Sequence, residues 1–403
     1  MSFLESFLAE NNLPSTTLLG VADPKGFRAA GVPAGLKSTG KPDVSLVVND
    51  GPEHHAAAVF TSNRVAAAPV IWSRQVVSDG RADAVLLNSG GANACTGPQG
   101  FQNTHASAEK TAELLGISAG DVLVCSTGLI GEQLPMDKIF AGTTDAHARL
   151  ASGEEASAAA AAGIMTTDTV SKRAGFEGSG YLIGGMAKGA GMLAPALATM
   201  LVVITTDAVL EPAQLDAALR AACAVSFDRA DADGCMSTND TVILMASGAS
   251  GVTPDVEEFT KGLTATCVDL ALQLMHDAEG ASHEIAVRTF NAASVDDALE
   301  VSRAVSRSNL FKTAIFGNDP NWGRVLSATG TTKAAFEPEN LNVFMNGVQV
   351  CRNGGLGEDR SLVDLSGRNV TVDIDLRAGS EEATIWTNDL THEYVHENSA
   401  YSS

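Results

Sequence analysis

Lys188-Gly-Ala-Gly-Met-Leu-Ala-Pro-Ala-Leu-Ala-Thr199-Met-Leu201 runs from a glycine-rich approach straight into an apolar, β-branched segment. Thr199 to Thr205 reads as a fully buried strand. Two readings of the junction stay open. Glycine and alanine beside a strand ordinarily serve close packing, which makes Thr199 a plain strand-initiating residue. Alternatively, Gly189, Gly191 and Pro195 build a strained, backbone-exposed loop, and strain favours an N-to-O acyl shift at Ala198–Thr199. Thr199 would then become a new N-terminus carrying a nucleophile and its own base. An α-amine titrates near pH ~7.7–8.0 when unperturbed, close to what a general base needs at neutral pH.

Outward from this junction, composition sets the bounds. The 403 residues are 45% apolar and 18% charged, the profile of a well-cored protein of roughly two or three domains. A net charge of −22 argues against nucleic acid or an anionic membrane as partner. The six cysteines (95, 125, 223, 235, 267 and 351) form no C-x-x-C pair. They fit reduced, mostly buried thiols in a reducing compartment. The N-terminus lacks a basic segment and carries Glu5 and Glu10, unlike a signal peptide. No charge-free apolar run reaches the ~18 residues of a membrane helix, so a cytoplasmic protein is expected.

The first half alternates short apolar runs, glycine-rich turns and helical stretches. Strands are expected over 82–87 and 121–125, with a loop at 88–97 and a helix over 98–115 between them. Ser152-x-x-Glu155 reads as a capping box for an alanine-rich helix ending near Gly163. Thr253 reads as the N-cap of a helix reaching about Ala278, with Pro254 at its first position. Val256, Phe259, Leu263, Cys267, Leu270 and Leu274 mark its apolar face. From 285 the pattern shifts to strand (285–290), a helix capped at Ser294, and a strand over 310–316. A hairpin turning at Asn346-Gly347 follows, then strands over 369–376 and 383–387. The expected organisation is a catalytic domain over 1–284 and a smaller α+β domain over 285–403.

Several motifs invite chemistry. Ser126-Thr127-Gly128, directly after a strand, is either a turn or an oxyanion hole built from one hydroxyl and one backbone N–H. His392-Glu-Tyr-Val-His396 matches the zincin pattern literally. Only seven residues follow His396, leaving little chain for a third ligand, and no helical periodicity surrounds the motif. No metal site is therefore expected there. His276, Glu279 and His283 are interrupted by Gly280 and read as polar residues at a helix end. The Asp228–Asp240 run puts Arg229 at the first calcium-ligand position, so it reads as a polar loop.

Taken together these segments resemble the ornithine acetyltransferase family, also called glutamate N-acetyltransferases, over essentially the whole chain. The most specific part is Ala187-Lys188-Gly-Ala-Gly-Met192 running into Ala198-Thr199-Met-Leu. Supporting segments are 89–97, 125–131, Met165-Thr-Thr-Asp-Thr169, Ser237-Thr-Asn-Asp240, 317–324 and the tail from His396. The resemblance implies a layered α/β sandwich shared with self-processing aminopeptidases, with the tail returning to the active site. It implies self-cleavage between Ala198 and Thr199 into an α chain (1–198) and a β chain (199–403), assembled as α2β2. Thr199 is then the nucleophile, and Thr127 with Gly128 the oxyanion hole. Thr166, Lys188, Thr199, Glu279, Asn398 and Ser403 match the substrate-binding positions. Two departures stand out: Ser403 where the family commonly has Thr, and Gly91 where Asn is common.

The activity so implied is acetyl transfer from N2-acetyl-L-ornithine to L-glutamate by a ping-pong route in arginine biosynthesis, with no metal or bound cofactor. Whether acetyl-CoA also donates is left open by the sequence. Two other readings use the same residues: a self-processing N-terminal-threonine hydrolase or aminopeptidase, and a non-catalytic amino-acid-binding protein.

Overall fold

The computed structural model describes residues 2–192 and 200–400. One unit comprises Leu4–Asp228 and Cys235–Leu274; the other starts at Met275 and takes in Arg229–Gly234.

The strands of the larger unit are β1 (Phe27–Val32), β2 (Val44–Asn49), β3 (His55–Phe60), β4 (Ala84–Asn88), β5 (Val122–Ser126), β6 (Lys172–Glu177), β7 (Leu182–Lys188), β8 (Leu201–Thr206) and β9 (Thr241–Ala246). They form a four-stranded sheet, β1-β2-β4-β5, and a five-stranded sheet, β3-β9-β8-β7-β6. Strands β2, β4, β5, β8 and β9 are buried along their whole length. That is why they read as continuous apolar runs rather than alternating ones.

Val47, Val85, Leu87 and Leu123 of the first sheet share one core with Met186, Leu201, Val203, Ile243 and Met245 of the second. The outer face of the first sheet packs Leu46, Leu86 and Val124 against Ala108 and Ala112 of the Gly97–Leu115 helix and Ala146 of the Met136–Ala148 helix. Over the second sheet lies the Val256–His276 helix: its Gly262 meets the Phe176 ring, and Leu270 reaches Gly185. The order helix, sheet, sheet, helix is the layered α/β sandwich that the resemblance implies.

In the other unit, β10 (Glu284–Ala292), β11 (Asn342–Met345), β12 (Val348–Arg352), β13 (Gly355–Leu356), β14 (Asn369–Asp375) and β15 (Glu381–Asn388) form one sheet, ordered β13-β12-β11-β14-β10-β15. Ala298, Val301 and Val305 of the Val295–Ser306 helix and Phe311 and Ile315 of the next helix share the core of this sheet. The β11–β12 turn holds Asn346 at φ 45° and Gly347 at φ 82°. Both centres of a two-residue hairpin turn need positive φ, and Asn-Gly supplies it with least strain.

Four local expectations need correction. Asn309–Phe316 is a helix, not a strand, because the Ser308 hydroxyl accepts the Phe311 N–H and caps it. Ser152 does not cap the Glu154–Gly163 helix; its hydroxyl donates to the Phe27 carbonyl, and Gly153 stands at the cap. The Val256–His276 helix starts later than expected, with the Asp255 carboxylate accepting from Glu257 and Glu258 N–H in place of Thr253. Finally, His392–Ala400 is a helix, so His392 and His396 do share one turn spacing. The Thr391 hydroxyl accepts the Tyr394 N–H and caps it.

Candidate active site

The parallel pair β4–β5 ends at Asn88 and Ser126, and both chains leave it as loops on the same side. The loops are tied together. Asn88 Nδ2 donates to Ser126 Oγ at 2.6 Å, Thr127 N–H to the Asn88 carbonyl at 3.0 Å, and Gly91 N–H to the Thr127 carbonyl at 3.0 Å. Asn239 Nδ2 bridges them, donating to the carbonyls of Ala92 at 2.6 Å and Ser126 at 2.8 Å. Thr127 and Gly128 are therefore held rigidly. Gly128 sits at φ +128°, and a Cβ there would lie 2.8 Å from Gly91 N, so only glycine fits. Among the described residues the Gly128 N–H has no hydrogen-bond partner.

Lys188 ends β7, and its register partner is Leu201 at the start of β8. The Lys188 side chain is buried, and its Nζ donates to Thr127 Oγ1 at 3.2 Å. A hydroxyl that accepts from an ammonium turns its own hydrogen elsewhere, free to donate. Burying an ammonium is costly unless it is compensated. Here the compensation is Asp168, which is 6% exposed. Its Oδ1 accepts from Lys172 Nζ at 2.6 Å and from Gly189 N–H at 2.7 Å, and its Oδ2 from Thr166 N–H at 2.9 Å. Burial pushes the Asp168 carboxyl up, but Lys188, Lys172 and the Gly189 N–H outweigh it and hold it at about 2. Nearby, Lys37 donates to the carbonyls of Met165 and Pro42. Burial brings its ammonium down to about 8, with Lys188 adding to the drop against Asp43 and Asp168.

Of the residues singled out in the sequence, Thr127, Gly128, Thr166 and Lys188 thus gather in this cluster. Glu279 and Asn398 meet in the other unit. Glu279 is 9% exposed and accepts from Asn398 Nδ2 at 2.9 Å, while the Thr391 hydroxyl donates to the Gly280 carbonyl at 2.7 Å. Ala198, Thr199 and Ser403 lie outside the described residues.

The structure adds residues to which sequence reasoning gave no role: Asp168, Lys172, Lys37 and Asp240. The available signal was acids placed directly before apolar runs, as Asp240 stands before Thr-Val-Ile-Leu-Met. The other motifs resolve into pairs within the second unit. His283 Nδ1 meets Asp389 at 2.7 Å, His276 meets Glu284 at 2.6 Å, and Asp231 meets Arg307 at 2.7 Å. The His392 ring stands edge-on to Phe316 at 5.4 Å. Among the described residues no group of three His, Cys, Asp or Glu side chains is arranged to hold a metal ion. No helix among them is long and apolar enough to cross a membrane.

Comparison with known proteins gives a consistent result. The family described as "ArgJ family" matches residues 28–403. The arginine biosynthesis bifunctional protein ArgJ of Streptomyces coelicolor is 62% identical over 385 residues, covering 96% of this chain and 100% of that protein. The protein of the same name from Mycobacterium bovis is 51% identical over 406 residues, covering 97% and 100%. Among solved structures, ornithine acetyltransferase from Mycobacterium tuberculosis, complexed with ornithine, is 50% identical with a TM-score of 0.43, covering 46% of this chain and 100% of that one.

Proposed function

The chain belongs to the ArgJ family, and from that premise we propose that it transfers the acetyl group of N2-acetyl-L-ornithine to L-glutamate through an acetyl-threonine intermediate, a step of arginine biosynthesis. The observation that carries the reading is the contact between Lys188 Nζ and Thr127 Oγ1 at 3.2 Å. It joins a rigid pair of oxyanion donors to the strand end whose register partner, Leu201, lies two residues after Thr199.

In this reading the chain cuts itself between Ala198 and Thr199. The freed Thr199 amine takes the proton of its own Oγ as Oγ attacks the acetyl carbonyl. The Thr127 hydroxyl and the Gly128 N–H hold the oxyanion, each such donor being worth ~10²–10³ in rate. Ornithine leaves with a proton, and the glutamate amine then attacks acetyl-Thr199 to give N-acetylglutamate. Bonds made and broken are alike, amide for amide, so the exchange is nearly isoenergetic without a cofactor. Lys188 pairs a substrate carboxylate, and Glu279 faces the side-chain ammonium of ornithine. Thr166, Asn398 and Ser403 complete the substrate contacts. The mature α and β chains assemble as α2β2 in the cytoplasm, and acetyl-CoA is a second donor to test.

Intact mass tests the first step: wild type gives pieces of 198 and 205 residues, and Thr199→Ala stays whole. Product analysis tests the second. With acetylornithine and glutamate the protein forms acetylglutamate. Release of free acetate at the same rate with or without glutamate would show a hydrolase instead. An uncut wild-type chain that still transfers acetyl groups would overturn the mechanism.

A further inference from the structure

Residues 164–171 join the Glu154–Gly163 helix to β6 without helix or strand. No ladder sets the backbone planes there, yet this segment carries Thr166. The Met165–Thr166 peptide is fixed in another way. Its carbonyl oxygen accepts from Lys37 Nζ at 2.6 Å, and its N–H donates to Asp168 Oδ2 at 2.9 Å. A peptide group is planar, so an ammonium on one side and a carboxylate on the other leave it one orientation. Both bonds have a charged partner, which makes them roughly twice as strong as neutral ones.

Each half of this clamp is itself anchored. Asp168 Oδ1 holds the Gly189 N–H directly after β7. Lys37 Nζ also donates to the Pro42 carbonyl at 2.9 Å, and its loop is folded around Asp43. The buried Asp43 carboxylate accepts three N–H groups, from Ala34 and Leu36 at 2.6 Å and from Lys37 at 2.9 Å. The Asp43 carbonyl accepts the Ser89 N–H at 2.9 Å. Leu36 packs on Gly90, where an added Cβ would come within 2.2 Å of the Leu36 Cβ. The next residue, Gly91, gives its N–H to the Thr127 carbonyl. One bonded framework thus runs from the Thr127-Gly128 loop through Asp43 and Lys37 to the peptide before Thr166.

We infer that Lys37 is a positioning residue for Thr166: with Asp168 it clamps the Met165–Thr166 peptide, and so sets the direction in which the Thr166 side chain leaves the backbone relative to Thr127 and Gly128. The inference rests on the reading of Thr166 as a substrate contact. Lys37 acts through Thr166 and not on the reacting atoms.

The charge on Lys37 makes the clamp sensitive to pH. Burial lowers its ammonium from an ordinary 10.5 to about 8; Lys188 and Lys41 add to the drop, and Asp43 and Asp168 oppose it. Below about 8 the ammonium is charged and the clamp complete. Above it the amine still donates, but without its charge, and its grip on the Met165 carbonyl weakens.

The experiment is steady-state acetyl transfer by the mature protein from pH 7 to about 9.5, spanning the Lys37 transition. The readouts are kcat and KM for acetylornithine. The acetylated amine of that substrate does not titrate, and its side-chain ammonium does so only near ~10. The Thr199 amine is common to every variant and cancels in the comparison. Thr166→Val should raise KM about tenfold, and Lys37→Met about three- to tenfold, each at nearly unchanged kcat. In the Thr166→Val background Lys37→Met should add nothing, because residues acting through one contact are not additive. In wild type KM should climb as pH passes about 8. In Lys37→Arg that climb should vanish, since a guanidinium stays charged. Effects of Lys37→Met and Thr166→Val that multiply would overturn the inference, as would a climb that persists in Lys37→Arg. Should Lys37→Met fail to fold, the Lys37→Arg profile decides alone. Thr166→Val with an unchanged KM would instead refute the reading of Thr166 as a substrate contact, and the inference with it.

Discussion

Asp168→Asn is the most informative single change for the buried charge cluster. Asp168 compensates Lys172 and Lys188, which are 0% and 1% exposed. Two magnitudes bear on the outcome. The carboxyl is held at about 2 against an ordinary 3.8, a gap of nearly two units. At ~1.4 kcal/mol per unit, that ties about 2 kcal/mol of stability to its ionisation. Because the folded-state value is depressed, this contribution is complete above pH 3.8 and is lost as pH falls through about 2. Removing the acid altogether costs more, because it leaves buried ammonium groups without a counter-charge. Breaking a buried pair by losing one partner costs ~3–5 kcal/mol. The larger figure should govern at neutral pH.

The assay is urea unfolding followed by tryptophan fluorescence, in the Thr199→Ala background so that the chain stays continuous. At pH 7, Asp168→Asn should lose about 3–5 kcal/mol, taken from the midpoint and slope. Lowering the pH from 5 to about 2 should shrink the difference between the proteins by about 2 kcal/mol, because only the parent has this acid to protonate. Other carboxylates titrate in both and cancel. A loss under about 1 kcal/mol, or a difference that does not change with pH, would refute the compensation argument.

Two further outcomes follow from the site. Thr127→Ala removes one oxyanion donor and should lower kcat by ~10²–10³ at nearly unchanged KM in steady-state acetyl transfer, with Thr127→Ser recovering most of it. Glu279→Gln keeps an acceptor for Asn398 Nδ2 but drops the charge; it should raise KM for acetylornithine about tenfold and leave KM for glutamate little changed, as measured in a full ping-pong grid.

The sequence carries those parts of the fold that local chemistry decides. Asn346-Gly347 announces its hairpin because both positions need positive φ. The Val256–His276 helix is legible because its apolar stripe is long enough to show a period. The Asn309–Phe316 helix is only eight residues long, and so short an apolar run fits strand or helix equally; the deciding cue was the Ser308 hydroxyl, which caps it. The His392–Ala400 helix buries none of its residues, so it has no apolar period to read, and its one local mark is the Thr391 cap. The site divides the same way. Thr127-Gly128 stands out as a hydroxyl and a glycine after a strand. Asp168 and Asp240 do not, since an acid on paper gives no sign of burial. Their meaning lies in partners elsewhere in the chain: Lys188 and Gly189 for Asp168, and the Met200 N–H for Asp240. A buried acid must be neutralised, protonated or hydrogen-bonded. Asp168 meets that demand with lysines and backbone N–H groups. Asp240 meets it with the Met200 N–H and the Ser237 hydroxyl, while burial pushes its carboxyl well above the usual range.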